Sequence, residues 1–158
     1  MDSPYLRVNQ EPKSFQSELQ KIKDSQRIGI YKLYYFENGH PKVIPRLFNN
    51  DKNGILYIGM TEVPLVKRVS NLQKALFDNS NVDGSGPVSS GHTQMGRKYY
   101  RIRNKINIQD LFIQIFPNDF PKKSESIELE KYVSEFAELP PLNGQYGSFD
   151  PEDWSIFS

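Results

Sequence analysis

Ile28-Gly29-Ile30-Tyr31-Lys32-Leu33-Tyr34-Tyr35-Phe36, closed by the pair Asn38-Gly39, and Ile55-Leu56-Tyr57-Ile58-Gly59, entered from a polar cluster at 49–54, decide the fold. Branched and aromatic side chains at this density, bounded by Asn- and Gly-rich turns, read as two consecutive strands that pair antiparallel. Residues 42–47 read as an additional short strand in the link between them. Leu65, Val69, Leu72 and Leu76 then recur at helical spacing behind Pro64, so a helix runs to about Phe77. Residues 78–91 hold Gly84, Gly86, Pro87 and Gly91 among serines and asparagines, with almost nothing to bury, which predicts a mobile loop. The pattern is helical again from Thr93 to about Lys105. It becomes extended over Leu111-Phe112-Ile113-Gln114-Ile115-Phe116, then helical through Leu129, Tyr132, Val133 and Phe136 before Pro140-Pro141. The order ββααβα, with no internal repeat, is that of an α+β domain: a small antiparallel sheet flanked by helices. Residues 1–27 read as a polar arm whose Phe15, Leu19 and Ile22 give a short helix one apolar stripe; 28–147 form the domain, and 148–158 an acidic tail lying on its surface.

The 158 residues suit one domain, and Leu, Ile, Val and Phe make up over a quarter of them, enough for a core. With only two alanines, Ala75 and Ala137, but nine Tyr and ten Phe, a sheet covered by helices fits better than a helical bundle. The absence of cysteine excludes a disulfide framework, a thiol nucleophile and an iron–sulfur site, and fits a reducing compartment. No apolar run is long enough for a membrane span and the N-terminus has no secretory pattern, so the expectation is an intracellular, cytoplasmic protein. A net charge of +1 gives no global attraction to nucleic acid, and only local clustering can supply one.

Such a cluster exists. Arg97, Lys98, Arg101, Arg103 and Lys105 interleave with Tyr99 and Tyr100 and include no acid, a pattern suited to tracking a phosphate backbone, although a charge run is also what a solvated helix face looks like. A second cation is singled out by helical geometry. At about 100° per residue, Arg68 lies at the margin of the Leu65/Val69/Leu72/Leu76 stripe while Lys67 points nearly opposite, so Arg68 can reach over the sheet, where a guanidinium is able to hold two phosphate oxygens, or it forms a solvated flank of the helix.

Gly29-Ile30-Tyr31 and Tyr57-Ile58-Gly59 resemble the two signature triplets of the GIY-YIG nuclease superfamily, and further parts follow in that family's order. These are Lys67-Arg68-Val69, then Ile127-Glu128-Leu129-Glu130, then Pro140-Pro141-Leu142-Asn143; the last two are similar to stretches in the nuclease domain of bacterial excision-repair incision proteins. The chain departs from the family in three places. The link between the triplets is longer, so 37–54 reads as an insertion; the Arg comes one residue late; and Leu72 stands where many members carry His or Tyr, leaving His92 as the nearby candidate for that role.

The resemblance implies a metal-dependent endonuclease that hydrolyses DNA phosphodiesters. In that reading Tyr31 or Tyr57 accepts a proton from the attacking water or orients it, Arg68 stabilises the phosphate, and Glu130 binds one Mg2+ or Mn2+. Asn143 braces the site, and His92 positions a tyrosine or protonates the leaving oxygen. A free Tyr is ionised in roughly one molecule in a thousand at neutral pH, so a phenol in this role needs a cation or a proton relay beside it. Periodicity does not separate Glu130 from Glu128, since both flank the last helix's stripe; the choice rests on the resemblance. His92 read by itself is equally a helix cap, Asn143 a turn residue, and His40 a surface group. DNA is the expected partner, with a homodimer required if both strands are cut; restriction, repair and mobile-element roles stay open. The rival is a non-cleaving nucleic-acid-binding module on the same scaffold. A small-molecule enzyme on an unrelated fold is disfavoured, because the chain has no phosphate-cradling glycine loop and no nucleophile–base pair.

Overall fold

The computed structural model describes residues 3–144, so the acidic tail expected at 148–158 lies outside the described residues. Along the chain the elements are β1 (Leu6–Arg7), α1 (Pro12–Gln20), β2 (Gly29–Glu37), β3 (His40–Pro41), β4 (Ile44–Pro45), β5 (Asn50–Asp51), β6 (Ile55–Thr61), α2 (Leu65–Asp78), α3 (Thr93–Ile102), a 3-10 turn at Ile108–Asp110, β7 (Leu111–Pro117) and α4 (Pro121–Phe136). This is an α+β architecture with a small antiparallel sheet and four helices.

β2 is central because both its faces are buried: Gly29, Ile30, Tyr31, Leu33 and Tyr34 are all inaccessible. It pairs antiparallel with β7 on one side and with β6 on the other, and β1 adds to the far side of β7. β6 is therefore an edge strand. Tyr31 and Leu33 share one core with Leu65, Val69 and Leu72 of α2 and with Met95 and Tyr99 of α3. On the opposite face Lys32 reaches α4, where its Nζ lies 2.9 Å from Glu128 Oε2. The sheet thus separates α1, α2 and α3 from α4.

The N-terminal segment does more than dock. α1 buries Phe15 and Leu19, and the residues before it form β1, a two-residue strand too short to leave any periodic signal. Gln73, fully buried on α2, ties the segment down: its Nε2 donates to the carbonyls of Val8 and Gln10, both at 2.8 Å. In the 37–54 insertion the single strand expected at 42–47 is replaced by two short pairings, β3 on the end of β2 and β4 with β5. Pro41 and Pro45 carry no amide hydrogen, which keeps both pairings brief. The insertion is held against α4 by buried Asp51, which accepts from the Tyr132 hydroxyl at 3.0 Å, and against the segment after α4 by Arg46, whose Nε lies 3.1 Å from Glu138. Its tip, Leu47 and Phe48, is exposed.

Between α2 and α3 the chain forms no helix or strand, as the composition of 78–91 implies, yet it carries internal anchors. The side chain of buried Asn79 donates to the carbonyls of Ala75 (2.8 Å) and Val88 (3.0 Å) and accepts from the Val88 amide (2.7 Å). α3 ends at Ile102, short of Lys105, where the Lys105 amide turns back to the Ile102 carbonyl and the Tyr99 hydroxyl donates to Ile106 O at 2.8 Å. Among the described residues no helix is long and apolar enough to cross a membrane.

Candidate active site

The edge of β6 gathers the polar groups. Tyr31 stands directly across from Gly59 in the β2–β6 register. A Cβ at position 59 would lie 2.6 Å from the Tyr31 ring and 2.7 Å from the Tyr57 ring, so a glycine is what lets both aromatic rings share this face. The two ring centroids are 6.1 Å apart. Tyr31 is fully buried, and its hydroxyl has no hydrogen-bond partner among the described residues. The Arg68 guanidinium and the Tyr57 hydroxyl act on it without completing such a bond. Burial raises the Tyr31 pKa, opposed in part by Arg68 and Tyr57 and reinforced by Glu125. Burial likewise pushes Tyr57 far up, with Tyr31 and Glu125 adding to it and Arg68 opposing. Both phenols are therefore neutral at physiological pH, more firmly than free tyrosine.

Arg68 is exposed at the rim of α2, where its charge is felt by Tyr31, Tyr57 and His92. Its neighbour Lys67 lines a separate groove with Pro12, Lys13 and Gln16 of α1. His92 occupies the position before α3, where its side chain makes no capping bond. Its amide donates to Asn71 O at 3.1 Å, and the turn is made possible by Gly91, whose φ of +56° brings it so close to the Asn71 carbonyl that a Cβ would lie 2.1 Å from the oxygen. The imidazole meets the Tyr57 ring edge-on, with centroids 6.3 Å apart. Burial, then the charges of Arg68 and Lys98, pull the His92 pKa down to about 4, so the ring is neutral at physiological pH and has a lone pair to offer.

Asn143 grips the open edge of β6 from outside. Its Oδ1 accepts from the Ile58 amide and its Nδ2 donates to the Ile58 carbonyl, both at 2.9 Å, on the residue between Tyr57 and Gly59. The neighbouring Leu142 amide donates to Leu56 O at 2.8 Å. An otherwise unpaired strand edge is thus covered by a short segment whose terminal side chain imitates a strand partner.

Among the acids of α4, the one whose charge both phenols feel is Glu125, not the expected Glu130. Glu125 acts on both phenols, and burial alone raises its pKa. Glu130 is exposed and lies with Lys123, Ser126, Ile127, Lys131, Ser134 and Glu135 on the outer surface of α4. Helical geometry explains the difference: taking Tyr132 as the reference, Glu125 falls at about 20° and Glu130 at about 160°. A signal was available, since Pro121, Glu125, Glu128, Tyr132 and Phe136 fall on one line, but the apolar residues Ile127 and Leu129 draw the eye elsewhere. Glu128 is engaged with Lys32.

The basic helix divides as well. Arg97 and Arg101, one turn apart on α3, are exposed, as is Lys105 beyond its end. Arg103 lies over the Tyr100 ring, 4.0 Å from its centroid, and donates to the Tyr100 carbonyl at 2.5 Å. Lys98 turns inward and donates to Leu142 O at 2.8 Å. Comparison with family models, with curated proteins and with solved structures finds no match to this chain.

Among the described residues no three His, Cys, Asp or Glu side chains stand together. The donor set is one half-buried carboxylate whose charge two neutral phenols feel. That suits a hard divalent cation that takes one protein oxygen and completes its shell with waters and phosphate oxygens.

Proposed function

We propose that this chain is an endonuclease of the GIY-YIG type, hydrolysing DNA phosphodiesters with one divalent cation. The observation that carries the reading is that two neutral phenols share one face of β6, one of them buried with a hydroxyl unpartnered among the described residues, and that both feel the charge of a guanidinium and of a half-buried carboxylate, with an uncharged imidazole against the second. These come from five separate parts of the chain, and the sheet register holds the two phenols side by side.

Each group has a task that its environment suits. A phosphodiester resists attack because negative charge builds on the phosphate as water adds, and a site must supply positive charge and take a proton. Arg68, exposed at the rim, meets two phosphate oxygens. Tyr57, held in the OH form, orients the water by a hydrogen bond, with the buried Tyr31 packed beside it; neither serves as a resting phenolate. His92, neutral and against Tyr57, takes the water's proton directly or by way of the Tyr57 hydroxyl. The water oxygen bonds to phosphorus, the P–O bond to the leaving group breaks, and the leaving oxygen takes its proton from the imidazolium or from solvent. Asn143 fixes the strand that carries Tyr57. Glu125 would hold Mg2+ or Mn2+, which contributes charge to the phosphate oxygens when bound. Arg97, Arg101 and Lys105 form the exposed ridge for the DNA backbone, and a homodimer would bring two sites to the two strands.

Incubating the purified protein with supercoiled plasmid, with and without Mn2+, tests this. Metal-dependent nicked or linear product is expected from the wild type and none from Glu125→Gln. Retarded migration without nicking, at any metal concentration, overturns the hydrolytic reading in favour of a binding module.

A further inference from the structure

Lys98 belongs, by its sequence neighbourhood, with the cations that face DNA. Its surroundings say otherwise. It is half-buried on α3, and its ammonium donates to the Leu142 carbonyl at 2.8 Å. The chain passes so near that a Cβ at Gly144 would stand 2.9 Å from Nζ. From Leu142 the connection continues without a gap: the Leu142 amide bonds to Leu56, and Asn143 clamps both backbone groups of Ile58, beside Tyr57 and Gly59. Lys98 is also six residues from His92 on the same helix, and its charge reaches that imidazole.

We infer that Lys98 is a positioning residue: through the Leu142 carbonyl it locks the Asn143 brace onto β6. The lock itself is independent of any activity, while its catalytic consequence rests on the nuclease reading above. Burial lowers the Lys98 pKa, as expected of an ammonium held out of water by a specific partner instead of reaching for phosphate. Among the described residues, the Tyr57 ring of β6 meets His92 edge-on, and the charges it feels are those of Arg68 of α2 and Lys98 of α3. Removing Lys98 takes away one of the two cations that oppose protonation of the imidazole.

Lys98→Met and Lys98→Arg decide the matter by two independent readouts. Exchange of the Ile58 amide hydrogen, which is bonded to Asn143 Oδ1, should quicken about tenfold or more in Lys98→Met, the scale of one lost bond to a charged group, while the Ile113 amide in β7 keeps its protection. Lys98→Arg, retaining charge and donors, should restore most of it. Should Lys98→Met fail to fold, Lys98→Gln carries the same measurements. In cleavage assays Lys98→Met should lower kcat about 10- to 100-fold with KM for DNA and the salt dependence unchanged. Unchanged Ile58 exchange overturns the lock. Unchanged kcat with weaker DNA binding and a salt slope reduced by about one makes Lys98 a phosphate contact and overturns the positioning role. If the wild type cuts no DNA, the nuclease reading fails by itself, and the Ile58 measurement still decides the lock.

Discussion

The inner and outer faces of α4 carry the same chemical group with opposite surroundings. Glu125 is half-buried, its carboxyl pushed up by burial and its charge felt by two phenols. Glu130, about one and a half turns further on, lies on the exposed side of the same helix among lysines and serines. The difference teaches that a carboxylate's availability for chemistry here is a property of helix rotation, and that holding one at the site lowers stability. At neutral pH a carboxylate whose folded pKa is raised is ionised where the protein prefers it protonated, so it weakens the fold while serving the reaction.

The largest effect should come from exchanging the two acids in turn. Glu125→Gln is expected to lower metal-dependent cleavage about 10³-fold and to raise the melting temperature at neutral pH, whereas Glu130→Gln should change neither. Equal behaviour of the two variants in cleavage and calorimetry would remove the distinction.

Next in size is the proton acceptor. His92→Gln should reduce the cleavage rate about 10²-fold. Its pKa near 4 also predicts a stability signature. Between the ordinary histidine value of about 6.5 and the folded value, the unfolded chain binds a proton that the folded chain refuses. His92 therefore costs stability that grows as pH falls through that window and is absent above it. Urea titrations from pH 7 down to 4 should show a shallower decline in His92→Gln than in the wild type; parallel curves would show that the imidazole is not shielded.

A smaller effect separates inward- from outward-facing glycines. Gly59→Ala places a methyl group against both phenols and should cost about 1–3 kcal/mol of stability, together with activity. At Gly84 a Cβ meets nothing within 4 Å and φ is unremarkable, so Gly84→Ala should be silent in both assays. The smallest effect is expected at the outer ridge. Removing Arg97 and Arg101 together should weaken DNA binding and reduce the salt slope by about two while leaving kcat intact; a fall in kcat would place them at the scissile bond instead.

How much of this was legible in the chain depends on how local the cause is. The strands at 29–37, 55–61 and 111–117 announce themselves by branched and aromatic density. The separation of Arg68 from Lys67 follows from the stripe Leu65, Val69, Leu72 and Leu76, all of them buried. β1 is invisible because two residues make no period, and the Asn79 clamp on Val88 because its partner lies in a segment with no pattern at all. For Lys98 the basic run itself misleads: charge in a row suggests solvent, and only the return of the chain at 142–144 turns one member inward.

The amino-acid order by itself determined the central strands and the helix bearing Arg68, since each depends on neighbours a few positions apart. Which acid of α4 acts on the two phenols was decided only in three dimensions. The rotation of that helix is fixed by Lys32 holding Glu128 and by Asp51 holding Tyr132, partners 96 and 81 residues away. The apolar pattern of α4 is too weak to set its angle, so these distant polar contacts turn Glu125 inward and leave Glu130 in water.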